Sequence, residues 1–368
     1  MRDYFIGLMS GTSSDGVDAA LVEFTPAPRL HSSHFLPYAP ALRAHILEFA
    51  AGQYHGDAID ELGSLDTELG KLFANAALAL INKAGITASD VCAIGSHGQT
   101  VRHRPDTPQP FTLQIADPNI IASRSGIITV ADFRRRDVAL GGQGAPLVPA
   151  FHHAVFADHE ETRAVVNIGG IANITVLPAG DAMVSGFDTG PGNVLMDLWS
   201  REHLHKPHDA NGEFAASGRI DTGVLKELLA DDYFSRAIPK STGREHFNQA
   251  WLSGRLANKK LPAVDVMATL CELTARSISD AVVQHAQGAK RVLLCGGGAH
   301  NTHLRKRLIA HLQSCTVVST EVFGIPPDWV EAAAFAWLAR ETLAGRAGNL
   351  PAATGANQPA VLGAVYHA

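Results

Sequence analysis

The feature that most constrains this chain is a layout it uses twice: an apolar strand-like run, a glycine-centred turn, and a second apolar run. The first copy is FIGLMSGTSSDGVDAALVEF (5–24), where residues 4–9 and 17–24 are rich in Ile, Leu, Val and Phe and read as adjacent strands. The second is RAVVNIGGIANITVLP (163–178), with two short strands around Gly169 and Gly170 and a further strand leading to Asp188. Elsewhere the apolar spacing turns helical. Between Ala41 and Ala84 it does so in two stretches, ALRAHILEFA (41–50) and then AIDELGSLDTELGKLFANAALALINKAG (58–85), and Leu62, Leu65, Leu69, Leu72, Phe73 and Ala76 keep the three-and-four spacing of one buried face. Gly85 follows as a stop signal. Short strands are expected at 91–96, 111–115 and 127–130, and long helices at 262–285 and 328–344. Alternation of this kind argues for α/β layers in both halves.

The chain has 368 residues, more than one core usually spans, so two domains are expected. We place them at residues 1–130, with the tail 352–368 packing back on the first domain, and 131–351. A net charge of −6 with no long basic run makes nucleic acid a poor partner. No stretch reaches about 18 uncharged apolar residues, so no membrane span is expected. The four cysteines, Cys92, Cys271, Cys295 and Cys315, form no CxxC pair and read as reduced thiols. The opening run lacks a basic segment followed by a signal-peptide core, and a cytoplasmic location is the expectation.

Three glycine clusters stand at strand-to-turn or strand-to-helix positions: Gly11 to Asp18, Asn167 to Asn173, and Gly296 to Asn301. Glycine lets backbone amides approach a ligand closely, and successive amides in a turn make an anion nest. Thr12, Ser13 and Ser14 add hydroxyl donors to the first cluster. Each cluster alone serves equally well as a tight turn. None matches the GxxxxGK[ST] pattern or GxGxxG with its distant acid. Taken together they suggest a nucleotide held in an interdomain cleft.

GFDTGPGNVLMD (186–197) carries the chemistry-bearing acid. Asp188 ends an apolar strand ahead of Gly190, Pro191 and Gly192, where a carboxylate facing a cleft can accept a proton from water or a sugar hydroxyl. The competing reading is that Asp188 caps the helix starting near Asn193, a role open also to Thr189 and Asn193. None of the 18 histidines falls in HExxH or a zinc quartet with cysteine. His97, inside GSHGQTVRHRP with Gln99, Arg102 and His103, belongs to a donor-rich set suited to a sugar.

These stretches, together with TLQIADPNIIA (112–122), VADFRRRDVALGGQGAPLVPAFH (130–152) and the segment around Glu331, resemble the anhydro-N-acetylmuramic acid kinase family. That family lies within the acetate and sugar kinase, heat-shock ATPase and actin superfamily, and the resemblance runs nearly the full length. It implies two actin-like (ribonuclease H-like) domains with mixed sheets flanked by helices and an active site in the interdomain cleft. It implies hydrolytic opening of the anhydro ring of 1,6-anhydro-N-acetylmuramic acid and ATP-dependent phosphorylation of O6 in peptidoglycan recycling. By position, Asp188 becomes the general base. Gly11, Thr12, Ser13, Ser14, Asp15, Gly16, Val17 and Asp18 become the phosphate cradle, with Asp15 or Asp18 organising Mg²⁺ through water. Asn167, Gly169 and Gly170 resemble the second phosphate turn, and Gly296, Gly297, Gly298 and Asn301 the adenosine side. His97, Gln99, Asp132, Arg134 and Glu331 are the sugar candidates, though Glu331 serves equally as an N-terminal helix charge worth about 0.3–1 kcal/mol. A homodimer is typical of the family.

Overall fold

In the computed structural model, which describes residues 3–180, 182–257 and 259–368, the first glycine cluster joins β1 (Tyr4–Met9) to β2 (Gly16–Glu23). The two pair antiparallel, with Met9 opposite Asp18. Strand β3 (Arg29–Pro37) continues the meander against β2. On its other side β1 pairs in parallel with β4 (Val91–Ser96). Strands β5 (Gln99–Arg104) and β6 (Phe111–Ile115) form a separate two-stranded sheet, and β7 (Thr129–Ala131) joins β4 in parallel. The second glycine layout repeats this order: β8 (Arg163–Ile168), β9 (Ile171–Leu177) and β10 (Ser185–Pro191) form a meander. Strand β8 then pairs in parallel with β11 (Arg291–Cys295), and β11 with β12 (Thr316–Ser319). Strand order third-second-first-fourth-fifth thus occurs twice. The chain is α/β, with two actin-like (ribonuclease H-like) mixed sheets flanked by helices.

The two helical stretches expected between 41 and 84 are the helices Pro40–Ala51 and Ala58–Ala84, separated where Gly52 turns left-handed. The second begins because the Asp57 carboxylate accepts from the Ile59 and Asp60 amides, a cap worth about 1 kcal/mol. It ends at left-handed Gly85 and buries Leu65, Leu69, Phe73, Ala77 and Leu80. The helix Ala263–His285 buries most of its length between β9, β10 and the helices around it, Val194–His203, Glu213–Ser217, Thr222–Leu229 and Thr302–His311. Strands β3 and β12 escape the sequence reading. The first is an edge strand of mostly half-exposed or exposed residues, RLHSSHFLP, and the second spans only four residues.

The chain divides into Met1–Phe151 with Phe323–Ala368, and His152–Val322. The boundaries expected at 130/131 and 351/352 therefore move. Residues 131–151 stay with the first unit because buried Asp137 ties them to the chain's end. Its carboxylate accepts from the Gly144 amide at 2.8 Å, Asn349 Nδ2 at 2.7 Å and the Thr354 hydroxyl at 2.8 Å. The helix Val330–Leu343 belongs there too, because it lies on β1 and β4 at backbone distance. A Cβ on Gly7 would stand 1.7 Å from Ala332 O, and one on Gly95 2.0 Å from Phe335 O. The tail then adds β13 (Ala364–Tyr366) antiparallel to β7. Among the described residues no helix is long and apolar enough to cross a membrane.

Candidate active site

The turn between β1 and β2 is braced from three directions. Tyr38 N donates to Asp15 O at 2.9 Å, and Arg43 Nε to Ser13 O at 3.1 Å. Gln99 takes a hydrogen bond from Ser10 Oγ at 2.7 Å and gives one to Gly11 O at 3.2 Å. Thr12 and Asp15 are exposed, Ser14 is buried with φ 49°, and Ser13 Oγ donates to Asp15 Oδ1 at 2.9 Å. Gly16 and Val17 are already inside the sheet, with the Val17 side chain in the core. Asp18 follows on β2. Burial, and then the charges of Asp15, Glu331 and Asp328, push its carboxyl up to about 7.

Of the five sugar candidates, His97 and Glu331 act on a third, the half-buried guanidinium of Arg134. Arg134 donates to His97 Nε2 from Nε at 3.0 Å and from Nη2 at 2.9 Å, and from Nη1 to Gly144 O at 2.8 Å. That assigns the imidazole lone pair to Nε2 and its proton to Nδ1. Burial and then the Arg134 charge hold His97 well below its usual range. Burial also lowers Arg134 to about 10, against the opposing field of Glu331 and Asp137. Glu331 stands in the first turn of the helix Val330–Leu343 with its surface exposed; desolvation by the surrounding protein raises its carboxyl while Arg134 pulls it back. That position also suits an N-terminal helix charge. Gln99 stands apart from the group. It is 1% exposed with both ends of its amide committed to the turn, so it supports the cradle and presents no free donor. Asp132, at φ 61°, is ion-paired with Arg135 at 3.4 Å.

In the second unit, Asp188 sits where β10 slips register against β9. Asp188 faces Asn173, Gly190 faces Ala172, and Thr189 is the extra residue. Such bulges re-aim side chains beside active sites. The strand runs on to Pro191, so Asp188 lies within it and does not end it. No side chain caps the helix Val194–His203; Asn193 Nδ2 donates to Ile168 O and Thr189 Oγ1 to Ala172 O. The capping reading of Asp188 is therefore excluded. Its carboxylate instead accepts from Thr242 N at 3.0 Å, its amide donates to Lys240 O at 3.0 Å, and its carbonyl accepts from Tyr233 Oη at 2.7 Å. Burial pushes its carboxyl up to about 6, opposed by the Thr242 amide and reinforced by Glu245. Such a group is a stronger base than an ordinary carboxylate and is still mostly ionised at neutral pH.

The Gly169–Gly170 turn packs against the start of the helix Val194–His203: Asn193 N donates to Gly169 O at 2.8 Å, and Gly192 N and Val194 N to Gly170 O at 2.9 and 3.0 Å. An uncapped N-terminus behind a glycine turn favours an anion. Asn167 lies alongside on β8, its Oδ1 2.2 Å from where a Gly296 Cβ would stand. Gly297, Gly298 and Asn301 border a cavity of about 440 Å³, with Asn193, Asp197 and Asn211 also on its wall. This is the size class of small-molecule sites. Asn301 caps the helix Thr302–His311 by accepting from Leu304 N. Sequence reasoning missed Asp137, Tyr233 and the segment 240–248. The one available signal was the small-polar run STGRE at 241–245, which no family stretch quoted above contains.

A family model described as anhydro-N-acetylmuramic acid kinase matches residues 3–368. The chain belongs to the anhydro-N-acetylmuramic acid kinase family. Among curated relatives, the anhydro-N-acetylmuramic acid kinase of Coxiella burnetii (strain RSA 493 / Nine Mile phase I) is 49% identical over 366 residues, covering 99% of this chain and 98% of the relative. That of Xanthomonas axonopodis pv. citri is 51% identical over 368 residues, with the same coverage. The chain is thus an enzyme of this kinase family over its whole length. Titration of the Asp188 carboxyl sets a pH prediction for a reaction in which Asp188 is the general base. Protonation as pH falls through about 6 removes the base, so kcat/KM should fall about tenfold per pH unit below that point. A pH–rate profile with no acid limb between 5 and 7 would speak against Asp188.

Proposed function

We propose that the enzyme adds water across the 1,6-anhydro bridge of 1,6-anhydro-N-acetylmuramic acid and passes the γ-phosphoryl group of ATP to O6. The products are N-acetylmuramic acid 6-phosphate and ADP, a step of peptidoglycan recycling. The observation that carries this reading is Asp188: a half-buried, bulge-mounted carboxylate of raised basicity whose own strand leads into a glycine-preceded helix that no side chain caps. Asp188 takes a proton from water as the water oxygen bonds to C1. The C1–O6 bond breaks, O6 bonds to the γ-phosphorus, and the bond from that phosphorus to ADP breaks. His97 and Arg134 supply polar contacts to the sugar, and Glu331 and Asp132 complete the set. The Gly11–Asp18 turn and the Asn167–Gly170 turn hold phosphates, and the cavity beside Gly297 takes the nucleoside.

Asp15 and Asp18 fit Mg²⁺. They are hard oxygen donors, and a cation beside them would favour the ionised form of Asp18, whose carboxyl burial and then the neighbouring acids push up to about 7. When bound, the ion neutralises triphosphate charge. A cytoplasmic homodimer completes the proposal.

Two substitutions test the nucleotide assignments without disturbing the fold. A Cβ on Gly11 would meet only Ser13 Oγ at 3.8 Å, and one on Gly297 would meet nothing within 4 Å. Gly11→Val and Gly297→Leu should therefore leave circular dichroism and melting unchanged while weakening a non-hydrolysable ATP analogue at least tenfold, about 1.4 kcal/mol. Unchanged affinity in a folded variant returns that glycine to being a plain turn. ADP release measured with and without the anhydro sugar separates this kinase from a nucleotide switch, which would not need the sugar.

A further inference from the structure

The segment joining Lys240 to Asn248 is fastened to Asp188 at two points, through Lys240 O and the Thr242 amide. Two residues beyond that second tie stands Arg244, an exposed side chain. Its guanidinium lies across the second glycine turn: a Cβ on Gly170 would stand 3.6 Å from Nη2 and 3.7 Å from Nε, with Val194 Cβ next at 4.0 Å. The absence of a side chain at Gly170 leaves the guanidinium facing bare backbone at the start of the uncapped helix Val194–His203. Its charge acts on Asp197, where Arg201 and His208 act more strongly. Glu245 turns the other way, its carboxylate against Gly243. A planar, permanently charged fork over a glycine turn and a helix N-terminus matches a phosphate in charge and shape.

We propose that Arg244 is a catalytic residue that contacts the transferring phosphoryl group of the nucleotide triphosphate. The inference rests on the kinase reaction proposed above and adds a group that neither its glycine turns nor its general base supplies. As the O6–phosphorus bond forms and the bond to ADP breaks, negative charge spreads over the phosphoryl oxygens, and a guanidinium there lowers the barrier. Two hydrogen bonds tie the segment that carries this cation to the water-activating carboxylate residue, Asp188.

The test compares wild type, Arg244→Lys and Arg244→Gln in sugar-dependent ADP release and in calorimetric binding of ADP and a non-hydrolysable ATP analogue. In Arg244→Gln, kcat should fall at least about 10²-fold, and the ATP analogue should lose its advantage over ADP while ADP binds as before. Arg244→Lys keeps the charge but not the fork and should fall between the two. The acid limb near pH 6 should stay in place in both variants. Near-normal kcat in Arg244→Gln overturns the proposal. So does a rise in KM confined to the sugar, which would make the sugar carboxylate the partner, or a displaced acid limb, which would make Arg244 a support for Asp188. If wild type itself shows no sugar-dependent ADP release, the kinase reading fails and not this one.

Discussion

Asp188→Asn is expected to lower turnover by about 10²–10⁴-fold with nucleotide affinity unchanged. Asparagine keeps the size of the side chain, and its amide oxygen can still accept from Thr242 N, the bond now made to Asp188 Oδ2. The backbone ties to Lys240 and Tyr233 are independent of the substitution. What disappears is the lone pair that takes the proton of water. The effect therefore belongs to kcat, and the acid limb near pH 6 should vanish with it. Steady-state kinetics and calorimetry on the same preparation check this. Turnover within a few-fold of wild type would reject Asp188 as the base.

The second large effect is structural. Gly95→Val should destabilise the first unit by at least about 3 kcal/mol, and Gly7→Val by as much. The Cβ positions lie 2.0 Å and 1.7 Å from helix carbonyl oxygens, and backbone on both sides leaves no flexible side chain to yield. The helix Val330–Leu343 would have to lift. It carries Glu331 in its first turn and sets Phe335 against the His97 ring at 4.7 Å. Loss of stability and loss of the His97–Arg134–Glu331 group should come together. A fall in thermal midpoint of more than about 6 °C is expected; a fall of under 2 °C in either variant would show that the close approach is not needed.

These two residues mark what was legible in the sequence and what was not. The strands at 4–9, 91–96 and 111–115, the stop at Gly85 and the helix over 263–285 follow from local signals: apolar runs, three-and-four spacing, capping. Gly7 and Gly95 carry no such signal, because the helix that requires them is more than two hundred residues away along the chain. The domain boundaries shifted for the same reason. Asp137, Asn349 and Thr354 meet only in three dimensions. Within the site, Asp188 and the glycine turns drew attention because an acid beside a Gly-Pro-Gly run and glycine clusters are local patterns. That both ends of the Gln99 amide are committed to Ser10 and Gly11, far away along the chain, only the structure shows. Arg244 was invisible because an arginine in a loop announces nothing until its neighbour is known to be Gly170.

The central claim is that one active site joins hydrolysis of the anhydro bridge to phosphoryl transfer. Turnover of the anhydro sugar with ATP and Mg²⁺ in ¹⁸O-labelled water tests it most directly, with the label located by mass spectrometry and phosphorus NMR. The account predicts ¹⁸O at C1 of the sugar product, phosphate on its O6, and no label in phosphate. Label in released inorganic phosphate, with the anhydro ring intact, would contradict it.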